Sequence, residues 1–440
     1  MTLWRRLRPL VALSLVLSFA SLPAAATAPP NLEANVIPAD FPSEVKTFPG
    51  IDHGGRKPKP IETDWRIFQS TGNCCENYLT TDKAGNLYDF GGSYINVTAD
   101  RGKTWEQVRP LTPLVNGEGA ISAAPGGDIV GVQWDPYSGD HLLSFKYDAA
   151  QEKWLYAEMP VHVPFYDREW IGVVPGPVTV LGETVPYVSF IKGAWPAKEV
   201  WFFSTDGLNY DTVDSKYAQQ AIFGGTTDTL TAEPHREMDW IQPNSNSGMT
   251  PLGVGRMLAR PDAPAIGQSS NWGVFEGDFG KWSTYEGNLQ GRFQVDSAGR
   301  IHNVIPEPGG FLYRISTNGG KSWTSTKVSL PREHEIEEID FRAHKQIGIA
   351  AVAIHAHNSK ASADADLLYK FDIKKNEAKL LRFNKVGLGD LDGASGVGAS
   401  IRFDFETVTI FPDGRVAMSF YDSTTGNRPL LAVEGKTRSK

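Results

Sequence analysis

Ser316-Thr317-Asn318-Gly319-Gly320-Lys321-Ser322-Trp323 and Thr98-Ala99-Asp100-Arg101-Gly102-Lys103-Thr104-Trp105 follow one eight-residue pattern, and Ser204-Thr205-Asp206-Gly207 with Tyr210 is a degenerate third copy. A hydroxyl residue leads, an Asp or Asn stands two places on, Gly two further, and Trp three beyond that. The chemistry is that of a tight hairpin. The Asx side chain can bond the turn backbone, Gly tolerates positive φ, and the aromatic ring covers the turn from below. Gly102 and Gly320 are therefore expected at positive φ, with Trp105 and Trp323 mostly buried. A hairpin that recurs along a chain signals a repeat architecture.

Working outward, short apolar segments alternate with Gly, Asp and Asn turns, and helical periodicity is almost absent, so the chain reads as all-β. A second set of turns recurs beside the first: Asp82-Lys83-Ala84-Gly85, Pro125-Gly126-Gly127, Pro175-Gly176, Asp296-Ser297-Ala298-Gly299 and Pro412-Asp413-Gly414. These read as inner hairpins of four-stranded blades, and the eight-residue turns as outer ones. Outer hairpins are expected over 94–108, 142–156, 200–213, 272–285, 311–328 and 367–383, with strands of one more blade in 403–433. That last blade lacks an outer strand of its own, and Trp65–Gln69 can supply it from the N-terminal side. The expectation is one closed β-propeller of four-stranded blades over residues 61–440, seven by this count, with six as the alternative.

Arg5, Arg6 and Arg8, an apolar run from Leu10 to Leu22 and the small residues Ala24-Ala25-Ala26 have the layout of a secretory signal peptide over 1–26. The apolar run is shorter than the roughly 20 residues a membrane span needs, and no later stretch approaches that length. Residues 27–60 are Pro-rich without clear period and read as an N-terminal arm. The expected location is secreted or periplasmic. A formal charge of −8 gives no footprint for nucleic acid. The two cysteines are adjacent, Cys74-Cys75, so they cannot tie distant segments together; buried thiols, a vicinal disulfide and a metal or intermolecular role all stay open.

In a propeller, the starts of the inner strands line one mouth of the central channel, about nine places before each inner turn. Counting back gives Glu76, Glu118, Asp167 and Asp404, with Asp239 and Asp340 in blades whose turns are less clear, accompanied by Arg168, Arg236, Arg292, Arg342 and Arg402. Two carboxylates in such a ring are the acid and the base or nucleophile that glycoside hydrolysis requires. The same acids could hold a structural Ca²⁺; no other cofactor is expected. His355 and His357, two apart after an apolar run, share one strand face and could meet a metal if His334 or His344 joined them.

The eight-residue turn resembles the Asp box, SxDxGxxW, of the sialidase-like (BNR repeat) propeller superfamily. Asp167-Arg168-Glu169-Trp170 resembles an Asp-Arg-x-Trp strand start of its secreted bacterial members, and Arg402-Phe403-Asp404-Phe405 their last-blade start. The resemblance implies a carboxylate-binding arginine triad, proposed as Arg66, Arg292 and Arg402, and a Tyr nucleophile, for which Tyr421 can stand. Trp65-Arg66-Ile67-Phe68 is the nearest stretch to the family's Phe-Arg-Ile-Pro, with Phe68 where that motif has Pro. The expected function is an exo-sialidase-like glycoside hydrolase acting on carbohydrate. The alternatives are a non-catalytic propeller that binds glycan or protein, and, third, a polysaccharide lyase.

Overall fold

The computed structural model describes residues 32–439 apart from 70–76, 92–93, 110–118, 136–140, 160–168, 181–182, 196–197, 214–247, 254–255, 261–271, 277–281, 286–291, 296–299, 319–321, 345, 359, 361–364, 387–406 and 422–428. Among the described residues, the secondary structure is strand throughout except for one 3-10 turn at Pro125–Gly127.

Four strands come from the N-terminal part of the chain: β1 (Leu32–Glu33), β2 (Asn35–Ala39), β3 (Ser43–Asp52) and β4 (Lys59–Gln69). Antiparallel meanders follow. Unit 1 is β5 (Tyr78–Thr81), β6 (Leu87–Phe90), β7 (Ile95–Thr98) and β8 (Trp105–Arg109); unit 2 is β9 (Gly119–Ala123), β10 (Ile129–Asp135), β11 (His141–Asp148) and β12 (Lys153–Glu158). Unit 3 is β13 (Glu169–Val180), β14 (Glu183–Trp195), β15 (Lys198–Ser204) and β16 (Asp211–Val213); unit 4 is β17 (Gly248–Gly253), β18 (Arg256–Arg260), β19 (Trp272–Glu276) and β20 (Trp282–Tyr285). Unit 5 is β21 (Arg292–Val295), β22 (Ile301–Glu307), β23 (Gly310–Ser316) and β24 (Thr324–Ser329); unit 6 is β25 (His334–His344), β26 (Ile349–Asn358), β27 (Ala365–Asp372) and β28 (Lys379–Lys385). Unit 7 is β29 (Val408–Ile410), β30 (Val416–Tyr421) and β31 (Pro429–Ser439), and its fourth strand is β4, paired with Leu430 opposite Gln69 and Val433 opposite Arg66. The expected completion of the last unit by Trp65–Gln69 is observed.

The six expected outer hairpins coincide with the third and fourth strands of units 1 to 6. One inner turn is misplaced by the sequence reading. Pro175-Gly176 lies inside β13, where the pairing with β14 shifts register between Pro175 and Val178, and the hairpin turns instead between Val180 and Glu183. Proline has no N–H for the ladder, so it marks a bulge as readily as a turn.

The turn chemistry is as the pattern requires. Gly102 N–H donates to Thr98 Oγ1 at 2.7 Å, while Asp100 Oδ1 accepts from the Lys103 and Thr104 N–H groups, both at 2.9 Å. Gly102 sits at φ +79°, and Trp105 is buried edge-on against Phe68, ring centroids 5.3 Å apart. In the degenerate copy, Gly207 lies at φ +78°, Asp206 Oδ1 accepts from Leu208 and Asn209 N–H, and buried Tyr210 takes the Trp position with its hydroxyl 2.6 Å from Ser189 Oγ. Asn318 Oδ1 accepts from Ser322 N–H at 2.9 Å in the copy where Gly320 lies outside the described residues. Trp323 there is only half-buried, because Arg314 covers its ring at 4.7 Å rather than another apolar sheet.

The arm residues do more than their aperiodic sequence announces. β1 adds to the outer strand of unit 2, β2 to that of unit 1, and β3 bridges β28 of unit 6 to β4 of unit 7. The core is laid down between sheets rather than in one central mass. One cluster joins Tyr88 of unit 1, Ile129 of unit 2 and Ile171 of unit 3; others join units 5 and 6, units 6 and 7, and units 7 and 1. First strands pack beside one another in sequence order: β5 with β9, β9 with β13, β17 with β21, β21 with β25, β25 with β29, and β29 with β5.

Candidate functional site

Where units 6, 7, 1 and 2 meet, the first strands carry polar side chains into a buried seam. β29 and β5 run the same way, since Thr407 Oγ1 donates to the Asn77 carbonyl at 2.8 Å near their starts and Thr81 and Thr409 hydroxyls meet at 3.2 Å near their ends. Thr407 N–H also donates to Ser419 Oγ at 3.0 Å. Asn77 is fully buried, yet neither its side-chain N nor its O has a hydrogen-bond partner among the described residues. A buried amide left unpaired costs free energy, so a partner from beyond the described residues would be stabilising there.

Unit 6 turns a polar face toward unit 7. Asp340 of β25 accepts from the Val408 N–H through Oδ2 at 3.1 Å, which ties two first strands together. On the neighbouring strands His355 Nδ1 and Asp366 Oδ1 lie 2.8 Å apart, both side chains about 1% exposed. A carboxylate on Nδ1 fixes the tautomer with its proton there and stabilises the imidazolium. His357 is two residues further along the same face of β26 and only half-buried. Among the described residues, no three of His, Cys, Asp and Glu come together as a metal site; His334 instead meets the Arg332 carbonyl at 3.0 Å.

The sequence candidates are distributed unevenly. Glu76, Glu118, Asp167, Arg168, Arg236, Asp239, Arg402, Asp404 and Cys74-Cys75 lie outside the described residues. The strands that follow Glu118, Asp167 and Asp404 in sequence, β9, β13 and β29, are the first strands of their units. Arg292 opens β21 opposite Val304, and Tyr421 closes β30 opposite Pro429. Arg66 stands apart from them. It belongs to the row Thr409, Ala417, Val433, Arg66, four residues along β30 from Tyr421, roughly 13 Å at 3.3 Å per residue. Its guanidinium is 3.5 Å from Ser43 Oγ and lines a cleft beside Asp100 and Arg415. Asn77, Thr407, Ser419 and Asp366 were missed by the nine-place count. Asn77 lies eight places before Gly85 and Thr407 seven before Gly414, so the count identifies the right region but not the residue.

No protein-family profile matches the sequence, and no curated protein matches it. Among solved structures the chain is similar to a mutant of the Aleuria aurantia lectin in complex with alpha-methyl-L-fucoside, at 11% identity and TM-score 0.38, covering 82% of this chain and 97% of that one. It is also similar to a mutant of AofleA from Arthrobotrys oligospora, at 10% identity and TM-score 0.40, over 76% and 93% of the two chains. A mutant of the NanB sialidase from Streptococcus pneumoniae is similar at 12% identity and TM-score 0.32, over 83% and 69%. Likenesses at this level assign no family and transfer no ligand. The class that the strand order itself defines is an all-β protein of successive four-stranded antiparallel meanders.

Proposed function

We propose that the chain is an exported, seven-bladed β-propeller that acts on carbohydrate at the mouth where its first strands begin. The observation that carries this reading is the succession of seven four-stranded units among the described residues, the last completed by β4 from the other end of the sequence. In such a ring Glu118, Asp167 and Asp404 approach one mouth from three blades, with Arg168, Arg292 and Arg402 to orient substrate and Tyr421 at a strand end beside them. The leading chemistry is glycoside hydrolysis, with Asp167 and Glu118 as the carboxylate pair. The buried carboxylates of the seam favour a second reading, a glycan-binding propeller without turnover. Asp340 and Asp366 both bond inside the protein, to Val408 N–H and to His355. His355, about 1% exposed, is also too deeply placed to serve as the base of a polysaccharide lyase.

Release of chromophore from a panel of aryl glycosides, aryl sialosides included, tests the hydrolase, with Asp167→Asn alongside the wild type. Turnover that Asp167→Asn abolishes while leaving the melting temperature unchanged supports it. No turnover on any member, together with binding on a glycan array, selects the binding propeller.

A further inference from the structure

We propose that a second site, a cleft between unit 1 and unit 7 at the hairpin end of their strands, binds an oxyanion carried on a saccharide. The cleft has a volume of about 550 Å³, within the range of small-molecule sites. Its walls come from the turn between β7 and β8, the turn between β29 and β30, and the outer strands β31 and β4. Half of its ten lining residues are basic: Arg66, Arg101, Lys103, Arg415 and Lys436. That is a local reversal in a chain with 51 acidic against 43 basic residues.

The acids at the cleft are already engaged. Asp100 accepts from Lys103 N–H, Thr104 N–H and the Thr104 hydroxyl, closing its own turn. Burial acts to raise its pKa, but those hydrogen bonds outweigh it and hold the carboxyl below its ordinary range. Glu434 is buried and held by Lys370 at 2.8 Å and Arg382 at 2.6 Å. Asp413, beside the cleft, pairs with both Arg101, at 2.5 Å, and Arg415, at 2.7 Å. One carboxylate between two guanidinium groups orients both and leaves a net positive charge with further N–H donors. Lys103 and Lys436 form no ion pair among the described residues, although Lys436, after the Thr47 and Arg438 hydrogen bonds, adds to the positive field that lowers the pKa of Asp64, and the Arg66 guanidinium is 3.5 Å from Ser43 Oγ. Fixed arginines with lysines outside any ion pair around them suit a compact carboxylate or sulfate.

The saccharide half of this inference rests on the proposed carbohydrate function; the oxyanion half rests on the cleft alone. Isothermal titration calorimetry of the mature chain at low salt, with a sulfated disaccharide, sialyllactose, lactose and inorganic sulfate, tests it. At least one of the two anionic saccharides should bind, lactose should not, and affinity should fall with added salt. Lys103→Glu/Lys436→Glu should weaken binding at least about tenfold, and Lys103→Arg/Lys436→Arg should retain it. Which saccharide responds identifies the anion. The proposal is overturned if neither anionic saccharide binds, if lactose binds as well, if inorganic sulfate alone binds, or if the Glu variant binds as tightly as the wild type. A Glu variant without a cooperative melt is replaced by Lys103→Gln/Lys436→Gln, read the same way. The lysine variants should not alter any turnover that Asp167→Asn abolishes, so each site can fail without the other.

Discussion

Gly102 illustrates how little room the turn residues have. At φ +79° it already occupies backbone space that a side chain resists, and a Cβ there would meet the Phe68 ring at 2.1 Å. Gly126 has a similar φ of +84° with nothing within 4 Å. Gly102→Ala should therefore cost about 2 kcal/mol or more, strain and overpacking together, against about 1 kcal/mol for Gly126→Ala, read by urea denaturation. The Trp positions separate in the same way. Buried Trp105→Ala should cost about 3–5 kcal/mol, whereas half-buried Trp323→Ala should cost about 1–2. Equal losses would mean that the two turns are packed alike. Acid sensitivity also belongs at this scale. Asp100 and Asp206 are both held below their ordinary pKa, burial opposing and turn hydrogen bonds prevailing. Their stabilisation is complete above the unfolded value near about pH 4 and is lost as pH falls through the folded one. Asn318, which fills the same position in another turn, has no such dependence. Asp100→Asn should flatten the acid limb of a stability–pH curve and leave its neutral region less affected.

The strands that join one unit to the next carry energies of the same order as a buried Trp. Lys370 of β27 and Arg382 of β28 converge on buried Glu434 of β31, and Lys370 also donates to the Gly414 carbonyl at 2.7 Å. Glu434→Gln strands buried cations and should cost about 3–5 kcal/mol, while Lys370→Met/Glu434→Leu should cost much less. A smaller loss in the single than in the double variant would remove the ion network from the account of the unit 6 to unit 7 joint. The outer hairpins were legible in sequence because Asp100, Asn318 and Asp206 bond their own turns, a local chemistry that sequence spacing displays. The arm was not legible. β1 and β2 gain their order from the edges of β12 and β8, and their own side chains, Leu32 and Val36 among them, remain exposed and show no period. The buried seam was only half legible for the same reason. Asp340 and His355 stand out as polar residues in apolar runs, but their partners Val408 and Asp366 are fixed by register between strands.

Unit 7 depends on two segments at opposite ends of the described chain meeting in one sheet. Removing residues 61–70 takes the fourth strand from unit 7 and should abolish cooperative unfolding by scanning calorimetry. Removing residues 32–39 uncovers the edges of β8 and β12, and should lower the melting temperature and raise concentration-dependent light scattering. Unchanged melting and scattering would reduce β1 and β2 to ornament.

The order of these attachments has a consequence in time. The arm is synthesised first, yet it lies on unit 2, then unit 1, then between units 6 and 7, so its docking partners are made in an order that leaves the last of them hundreds of residues behind. β4 cannot find β31 until nearly everything between them exists. A nascent chain can pair β1, β2 and β3 early, with β12, β8 and β4, but the outer edges of β3 and β4 stay open until β28 and β31 exist, and its slowest step is that long-range closure. On the proposed export route, that delay would keep the last joint open until the chain has passed through the membrane.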